Sequence, residues 1–580
     1  MKKLKAYERV IWIGLFVVVI LLNVKYVLCD LGIDGEYQIA MAYRIYKGDH
    51  LFADMWEPHQ MSAFLCAFLM RFYCSALGNT GVVIFLQVCG VLLDGLVATA
   101  LYYVMKKYLG AEREGRILAL LFCVFSPKDM PLPEFANMEV WCSVLLFLTL
   151  FYLMRQEGKK KVFALLLAAV TQFLLVLSYP SCLVVYCGVG IYMLVRKHHK
   201  EFLIYTGICA AFGGAYLSYI FRYCGPLKFV DTIHNILALE ESHNSGFVSR
   251  LFSYIIDFFK ISAVSIILFG VSLGIVILAE KVGRRNRCKE THHFRKAKEV
   301  WGRRCIISMS VTLGMMSLWC AYTVFACHRY IRYVYAIIYV PVIAIGFLAA
   351  RSLKKERKEF FSLGMLISLL TLLSTLLLTD LELTASLPYA QMGMLLAVYA
   401  CLEYIKMTDL AVSIKRMAYG AFMMVGAMLI FRCVFLIRPI SGQCDNLWDI
   451  AGRVKYGPAK NMISSYMGPY IQNCTYEEWD EYIGEGSAVY LVSDDLDTLA
   501  YLYKDVVIAA PTVMSTPTYN ETILKYWESH PERYPDVIAV GCWYGELKGN
   551  LEESWILRWI EEEYQPSKVL DGKYWRYYFR

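Results

Sequence analysis

The sequence predicts a polytopic α-helical membrane protein that carries a small α/β domain at its C-terminal end. Of its 580 residues, 58% are hydrophobic and 19% are charged, whereas soluble domains are about 45–50% apolar and about 25% charged. Apolar runs of about 20 residues, enough to cross a hydrocarbon layer about 30 Å thick, recur up to Leu436 and then stop. The chain therefore divides into a transmembrane part, 1–439, and a C-terminal domain, 440–580.

About thirteen apolar segments are predicted to cross the membrane. They are Val10–Cys29, Val82–Met105, Ile117–Phe125, Val140–Met154, Val162–Leu177, Cys182–Val195, Phe202–Phe221, Leu251–Ala279, Cys305–Cys327, Tyr333–Ala350, Phe360–Thr379, Leu387–Tyr404 and Ala418–Leu436. Met61–Leu77 is also apolar, but counting it as a span would move the basic cluster after Met105 to the outside. We therefore interpret it as a helix along the outer interface.

Lysine and arginine fix the predicted orientation, because positive loops stay in the cytoplasm. The basic start, with Lys2, Lys3 and Lys5, places the N-terminus inside, and an odd number of spans places the C-terminal domain outside. The net charge of +8 hides an acidic C-terminal domain, with 22 Asp and Glu against 12 Lys and Arg from Ser441 onward. Since the positive charges lie between membrane segments, no nucleic-acid partner is expected. The basic loops fit a bacterial plasma membrane.

The C-terminal domain is predicted to be a small α/β layer, because short apolar runs alternate with helical patterns. Predicted strands are Ala488–Ser493, Val506–Ala510 and Val537–Val540, and predicted helices are Trp448–Met462, Thr498–Tyr503, Glu521–Ser529 and Ser554–Glu563. Lys568–Phe579 reads as a hairpin with Asp571-Gly572 as its turn. With three cysteines in the domain, at most one disulfide could form there, and a reduced state is an equal alternative.

The first outer loop, within 30–80, carries a dense polar pattern. It runs Asp34-Gly-Glu36-Tyr37, then Tyr43-Arg44-Ile-Tyr-Lys-Gly48-Asp49, then Asp54-Met-Trp56-Glu-Pro58-His59. This pattern resembles the first outer loop of GT-C-class membrane glycosyltransferases, which include protein O-mannosyltransferases, the aminoarabinose lipid A transferase and the catalytic subunit of oligosaccharyltransferase. In that class an acidic motif follows the first span, and a Gly-Asp turn precedes a proline-led apolar helix, the order found here from Gly48 to Leu77.

The resemblance implies that Asp34 is a general base, with Glu36 or Asp54 as a supporting carboxylate. The mannosyltransferase pattern has adjacent Asp and Glu, whereas Gly35 separates them here. If this spacer turns the Glu36 side chain away from the site, Asp34 alone keeps the catalytic role that the resemblance implies. Pro58 stands where the aminoarabinose transferase has two prolines, so the substrates of that enzyme are not implied.

A second segment, His328-Arg329-Tyr330 followed by Tyr339-Val340-Pro341, resembles an Arg-Tyr then Pro pattern in a late outer loop of these enzymes. The resemblance implies a site for the donor phosphate at Arg329, His328 and Arg332. Arginine suits this role because its planar guanidinium forks onto phosphate oxygens. Without the family context, snorkelling of Arg329 and Arg332 toward lipid headgroups is an equal alternative.

Further polar residues leave alternatives open. Glu134, in a proline-rich loop, and His59 are candidates for accessory contacts to the acceptor, although a helix-connecting turn also explains the prolines. Two other sets could hold a metal, but a solvated loop and a helix cap are the simpler interpretations. These sets are His234, Glu240, Glu241 and His243, and Asp494, Asp495 and Asp497.

The sequence thus predicts a glycosyltransferase that moves a sugar from a polyprenyl-phosphate donor to an acceptor outside the cytoplasm. No nucleotide sugar is available there, so a lipid carrier must bring the sugar. No cofactor is required by the sequence, and a divalent metal is left open. The rival hypotheses are a polysaccharide or lipid flippase, in which intramembrane charges would line a path, and a non-catalytic membrane scaffold.

Overall fold

The computed structural model describes fourteen stretches of the chain, and every structural statement below concerns them. They are residues 2–29, 31–124, 130–241, 247–285, 295–326, 332–378, 381–408, 411–437, 445–465, 467–493, 497–514, 522–547, 551 and 554–580.

The first part of the chain is a bundle of apolar helices, as the composition predicts. The helices are α1 (Lys2–Cys29), α2 (Ile33–Lys47), α3 (Ala63–Leu77), α4 (Val82–Leu109), α5 (Glu112–Phe122), α6 (Phe135–Leu153), α7 (Gly158–Ser178), α8 (Leu183–Val195), α9 (His199–Tyr223), α10 (Pro226–Glu241), α11 (Phe247–Arg285), α12 (Arg295–Ala326), α13 (Arg332–Ala350), α14 (Lys355–Leu378), α15 (Leu383–Ser386), α16 (Gln391–Met407) and α17 (Val412–Phe435). In the described part of the chain, nine helices are long and apolar enough to cross a membrane. The chain is therefore a multi-pass membrane protein, and the number thirteen stays a prediction.

The basic loops gather at one end of the bundle, where acidic partners meet them. Arg155, after α6, lies 3.5 Å from Glu359 at the start of α14. Lys406, at the end of α16, pairs with Glu114 of α5. The opposite end carries the first outer loop and the C-terminal domain, so the two ends differ in charge as the sequence predicts. The positive-inside rule predicts that the basic end is cytoplasmic.

Helix α3 begins and ends beside the C-terminal domain. Just before α3, Glu57 accepts a hydrogen bond from the Val513 N–H of that domain. Just after α3, the Asn79 side chain donates to the Leu502 carbonyl at 3.1 Å, and the Gly81 N–H donates to the Gly457 carbonyl at 3.1 Å. Although α3 is apolar enough for a span, both of its ends lie at the same end of the bundle, which agrees with the predicted interfacial helix.

The segment between the predicted spans Phe202–Phe221 and Leu251–Ala279 contains a helix. Helix α10 occupies Pro226–Glu241. Proline is well tolerated in the first turn of a helix, where its missing N–H costs nothing. Thr232 of α10 donates to the Phe52 carbonyl at 3.0 Å, as does the Cys224 thiol at 3.1 Å. Phe52 has a φ of 61°, a backbone conformation that residues other than glycine rarely adopt. These contacts therefore help to hold a strained turn of the outer loop.

The C-terminal domain is the small α/β layer that the sequence predicts. A short strand, β1 (Leu436–Ile437), follows α17. The strands of the domain are β2 (Asp445–Asn446), β3 (Ile450–Arg453), β4 (Ile463–Ser465), β5 (Ala488–Val492), β6 (Val507–Ile508), β7 (Val537–Trp543), β8 (Glu546–Leu547), β9 (Lys568–Asp571) and β10 (Trp575–Phe579), and its helices are α18 (Met467–Tyr482), α19 (Thr522–Ser529) and α20 (Trp555–Trp559). The main sheet has the order β6-β5-β7-β10-β9, with β8 paired to β7. Strands β6, β5 and β7 are parallel, and β10 and β9 form the predicted terminal hairpin.

The helix predicted at Trp448–Met462 is wrong, because the segment holds strand β3 and the turn that leads to its antiparallel partner β4. Gly457, with φ of 68°, and Pro458 turn the chain back in its middle. The sequence also missed α18, whose buried face includes the polar Gln472 and Thr475. Cys474 and Cys542 are free, and Cys444 lies outside the described residues, as does the predicted domain boundary.

Candidate active site

Asp34 lies in the first turn of α2, directly after the first span. The positive end of a helix dipole favours a carboxylate at this position. Asp34 is half-buried, and the neighbouring Gly35 is fully buried against the loop before α6. A Cβ atom at Gly35 would lie 2.7 Å from Leu31 and 2.9 Å from Met130. The spacer in the acidic motif is thus a close-packing position, which brings Asp34 against the neighbouring helix ends.

Asp34 and Glu36 point to different surroundings. Two residues along an α-helix correspond to a rotation of about 200°, so they cannot share a face. Asp34 acts electrostatically on Tyr179, which follows α7. Glu36 is buried and acts on Tyr503 of the C-terminal domain: burial raises the pKa of this tyrosine, and the charges of Asp497 and Glu36 raise it further. The inserted glycine therefore separates the two acids, and they act on different tyrosines.

Three carboxylates act electrostatically on two tyrosines where the ends of several helices meet. Burial raises the pKa of Tyr179 well above its usual value, and the charges of Glu139, Asp34 and Glu134 raise it further. The same three carboxylates act electrostatically on Tyr389, which precedes α16, and the two tyrosine rings lie 6.5 Å apart. We call these five residues the carboxylate–tyrosine cluster. It concentrates negative charge and hydroxyl groups at the end of the bundle that carries the C-terminal domain.

Two of the carboxylates are fixed by hydrogen bonds. Glu134 caps α6, since its oxygens accept from the N–H groups of Ala136 at 2.9 Å and Asn137 at 2.7 Å. Glu139, one turn further along α6, accepts from the Thr375 hydroxyl at 3.3 Å and from the Cys182 thiol at 3.5 Å. Both glutamates are fully buried, and Glu134 is the N-cap of α6, a structural role that the sequence did not predict.

His59 lies beside the cluster. Its ring stacks on Phe135 at 4.3 Å between centroids and meets the edge of Tyr179 at 5.0 Å. A second edge contact, at 6.3 Å, joins it to Tyr37 of α2. The structure thus brings His59 to the same helix ends as Asp34, as the sequence-based assignment requires.

Asp54 is engaged on the other side of the outer loop. One of its carboxylate oxygens accepts the His50 N–H at 2.7 Å and lies 3.0 Å from the His50 ring nitrogen Nδ1. Its carbonyl accepts from Arg44 at 2.6 Å and from the Tyr526 hydroxyl at 2.8 Å. Its hydrogen bonds therefore link it to His50 and to the C-terminal domain, and its role as a supporting carboxylate stays a prediction.

Arg44 joins the outer loop to the C-terminal domain. It is fully buried, and its guanidinium lies 2.7 Å from Asp49 and 3.8 Å from Glu57. It also donates to the carbonyls of Ala510 at 2.8 Å and Pro511 at 3.2 Å. This is the bonding capacity expected of a buried arginine, whose planar fork carries five N–H donors.

Asp49 extends this network to the C-terminal domain. The Arg533 guanidinium donates two hydrogen bonds, of 2.6 and 2.9 Å, to the Asp49 carboxylate. Burial alone would raise the pKa of Asp49, but the guanidinium groups of Arg44 and Arg533 hold it below its usual range. Asp49 is therefore a shared anion between two cations, one on the loop and one on the domain.

Hydrogen bonds to backbone carbonyls reinforce the contact between the outer loop and the C-terminal domain. The Trp56 N–H donates to the Pro511 carbonyl at 2.8 Å, and His530 Nε2 lies 3.0 Å from the Ala53 carbonyl. The C-terminal domain thus covers the first outer loop through buried polar contacts.

Glu57 is a buried carboxylate within this interface. Burial raises its pKa to about 7, although Arg44, the Val513 N–H and the Tyr37 hydroxyl all act to lower it. In an unfolded chain a glutamate ionises near pH 4.3. Between these values the folded protein keeps a proton that the unfolded chain has released. The stability contributed by Glu57 is therefore complete below about pH 4 and is lost as the pH rises through about 7.

Comparison of the Glu57→Gln variant with the parent isolates this effect, because glutamine does not titrate. From pH 5 to pH 8, the melting temperature of the variant in detergent is expected to rise relative to that of the parent. Over this pH range, the free energy of unfolding of the parent should fall by at most about 3 kcal/mol relative to the variant, since one pKa unit corresponds to about 1.4 kcal/mol. Parallel melting curves across this range would contradict a raised pKa for Glu57.

Other sequence-based assignments lie beyond the described part of the chain. They are His328, Arg329, the side chain of Arg332, and most of the two alternative metal sets. Asp497 is buried and precedes a short 3₁₀ helix at Thr498–Leu502. Among the described residues, no three His, Cys, Asp or Glu side chains are grouped so that they could hold a metal ion.

Sequence reasoning missed Glu139, Tyr179 and Tyr389. Glu139 carried a signal, since a lone acid within the apolar helix α6 is costly unless it is paired or functional. The tyrosines carried none, because Tyr179 follows a predicted span and Tyr389 lies near the start of one, where aromatic residues commonly anchor the interface. The role of Arg44 as an interdomain link was also missed, since its partners lie more than 460 residues away along the chain.

Comparison of the chain with solved structures finds similarity in fold. No protein-family model and no curated protein matches the sequence. Among solved structures, the chain is similar to ArnT from Cupriavidus metallidurans in the apo state, with 11% sequence identity, a TM-score of 0.43, and coverage of 99% of this chain and 98% of that chain.

Proposed function

We propose that the protein is a GT-C-like glycosyltransferase that moves a sugar from a polyprenyl-phosphate donor to an extracytoplasmic acceptor. The observation that carries the proposal is the carboxylate–tyrosine cluster at one end of the helical bundle. It includes Asp34, the acid that the motif singles out, which is half-buried and acts on the same two tyrosines as Glu134 and Glu139. A lipid donor in the adjacent leaflet and a hydrophilic acceptor could both reach this end of the bundle.

In the proposed reaction, Asp34 accepts the proton of the acceptor hydroxyl as that oxygen attacks the anomeric carbon. A new carbon–oxygen bond forms, and the bond between the anomeric carbon and the phosphate oxygen breaks. The polyprenyl phosphate leaves with the bonding electrons, and Arg329 neutralises its charge, with His328 and Arg332 beside it. Glu134 and His59 serve as accessory contacts to the acceptor.

The proposed setting is a bacterial plasma membrane, with the N-terminus in the cytoplasm and the C-terminal domain outside. The segregation of basic loops to one end of the bundle supports this orientation. The acceptor is a glycan, lipid or protein exposed at the outer face.

Phosphate recognition can be tested by thermal denaturation in detergent, because a ligand that binds only the folded state raises its melting temperature. We expect polyprenyl phosphate to raise the melting temperature more than the matching polyprenyl alcohol. The difference should vanish in Arg329→Ala and persist in Asp34→Asn. Arg351→Ala, an exposed cation at the opposite end of the bundle, is the control and should behave as the parent. Equal shifts with phosphate and alcohol in the parent would contradict a phosphate site.

A further inference from the structure

Tyr37 connects the candidate base to the outer loop. It lies three residues after Asp34 on α2, and residues three apart share a helix face. Its hydroxyl donates to Glu57 Oε2 at 3.0 Å. Tyr37 and Glu57 are 2% and 1% exposed, so this hydrogen bond forms away from water, where hydrogen bonds are electrostatically stronger than in water.

The second oxygen of the Glu57 carboxylate faces the C-terminal domain. Oε1 accepts the Val513 N–H and lies 3.8 Å from the Arg44 guanidinium. The neighbouring Trp56 N–H donates to the Pro511 carbonyl, so two successive loop residues are bonded to the segment 510–514. One carboxylate thus bridges this segment and the helix that carries Asp34.

We propose that Glu57 is a positioning residue that transmits the seating of the C-terminal segment 510–514 through Tyr37 to Asp34. The C-terminal domain then sets the geometry of the base instead of merely covering the site. This inference rests on the proposed role of Asp34 in catalysis. Its physical basis is the sensitivity of catalysis to placement, since a shift of about 1 Å can cost about 10²-fold in rate.

A double-mutant cycle tests the coupling. Tyr37→Phe removes the hydroxyl, and Glu57→Gln keeps the shape but loses the full acceptor capacity. Each variant should lower kcat about 10-fold with little change in the KM for the donor, since neither residue is assigned to donor binding. The double variant should be no worse than the poorer single variant, because both act through one bond.

Tyr73→Phe is the matched control. It makes the same chemical change at a tyrosine whose hydroxyl donates to the Thr80 carbonyl in the α3–α4 turn, and its kcat should equal that of the parent. Parent-like kcat in both single variants would overturn the positioning role. So would a double variant whose loss is the product of the two single losses.

Hydrogen exchange of the α2 amides, measured without substrate, separates this inference from the proposed function. Exchange in α2 should rise in Tyr37→Phe and Glu57→Gln and stay unchanged in Tyr73→Phe. If the parent transfers no sugar, the proposed function fails, but this exchange pattern would still support the link through Glu57. Unchanged exchange in both variants would overturn the link.

Discussion

Replacement of Asp34 by Asn is expected to lower the rate of sugar transfer about 10²–10⁴-fold, the usual cost of losing a general base. Asparagine has nearly the same shape but cannot accept the proton of the acceptor hydroxyl. Because Asp34 is half-buried in the first turn of α2, the substitution should leave expression, detergent stability and donor binding unchanged. Initial rates with a labelled lipid-linked sugar provide the measurement.

Glu36→Gln is the matched control for this prediction. It removes an acid two residues away that acts on Tyr503 instead of the carboxylate–tyrosine cluster. Its loss in rate should therefore be smaller than that of Asp34→Asn. The reverse order would exchange the two roles, and parent rates in both variants would remove catalysis from this loop.

Replacement of Arg44 by Met is expected to have the largest effect on stability. It removes a fully buried cation and leaves Glu57 without its charged partner, whereas Asp49 keeps Arg533. Breaking a buried ion pair by removing one partner typically costs about 3–5 kcal/mol. The melting temperature in detergent should fall, and the C-terminal domain should become more sensitive to protease.

Arg44→Lys should fall between the parent and the Met variant, because lysine keeps the charge but loses the planar fork. Lys47→Ala serves as the control: Lys47 pairs with Asp505 across the same interface, but both side chains are partly exposed, and such pairs contribute little. A Met variant as stable as the Lys47 control would contradict the account of this interface.

The sequence predicts the parts of the fold that depend on local pattern. Apolar runs gave the helices, and the β-strand at Ala488–Val492 and the hairpin after Lys568 match their patterns closely. The prediction failed where Gly457 and Pro458 interrupted a helical pattern, and where polar residues lie on the buried face of α18. In both cases tertiary packing and turn geometry outweighed periodicity.

The candidate site was predictable only in part. Asp34 and His59 belong to one continuous motif, which the sequence displays directly. Glu139 and Tyr389 reach the same place from α6 and from the turn before α16, and their proximity depends on helix packing. Likewise, the partner of Tyr37 follows from the outer loop folding back on α2, which no local pattern encodes.

The proposed reaction breaks the bond between a sugar and a polyprenyl phosphate. The most direct test uses the purified protein in lipid bilayers, with a polyprenyl-phosphate sugar labelled in both the phosphate and the sugar. Labelled polyprenyl phosphate should be released in step with transfer of the sugar to an acceptor, and Asp34→Asn should slow both about 10²–10⁴-fold. Movement of the intact donor across the bilayer, with its sugar–phosphate bond unbroken, would contradict the account and favour a flippase.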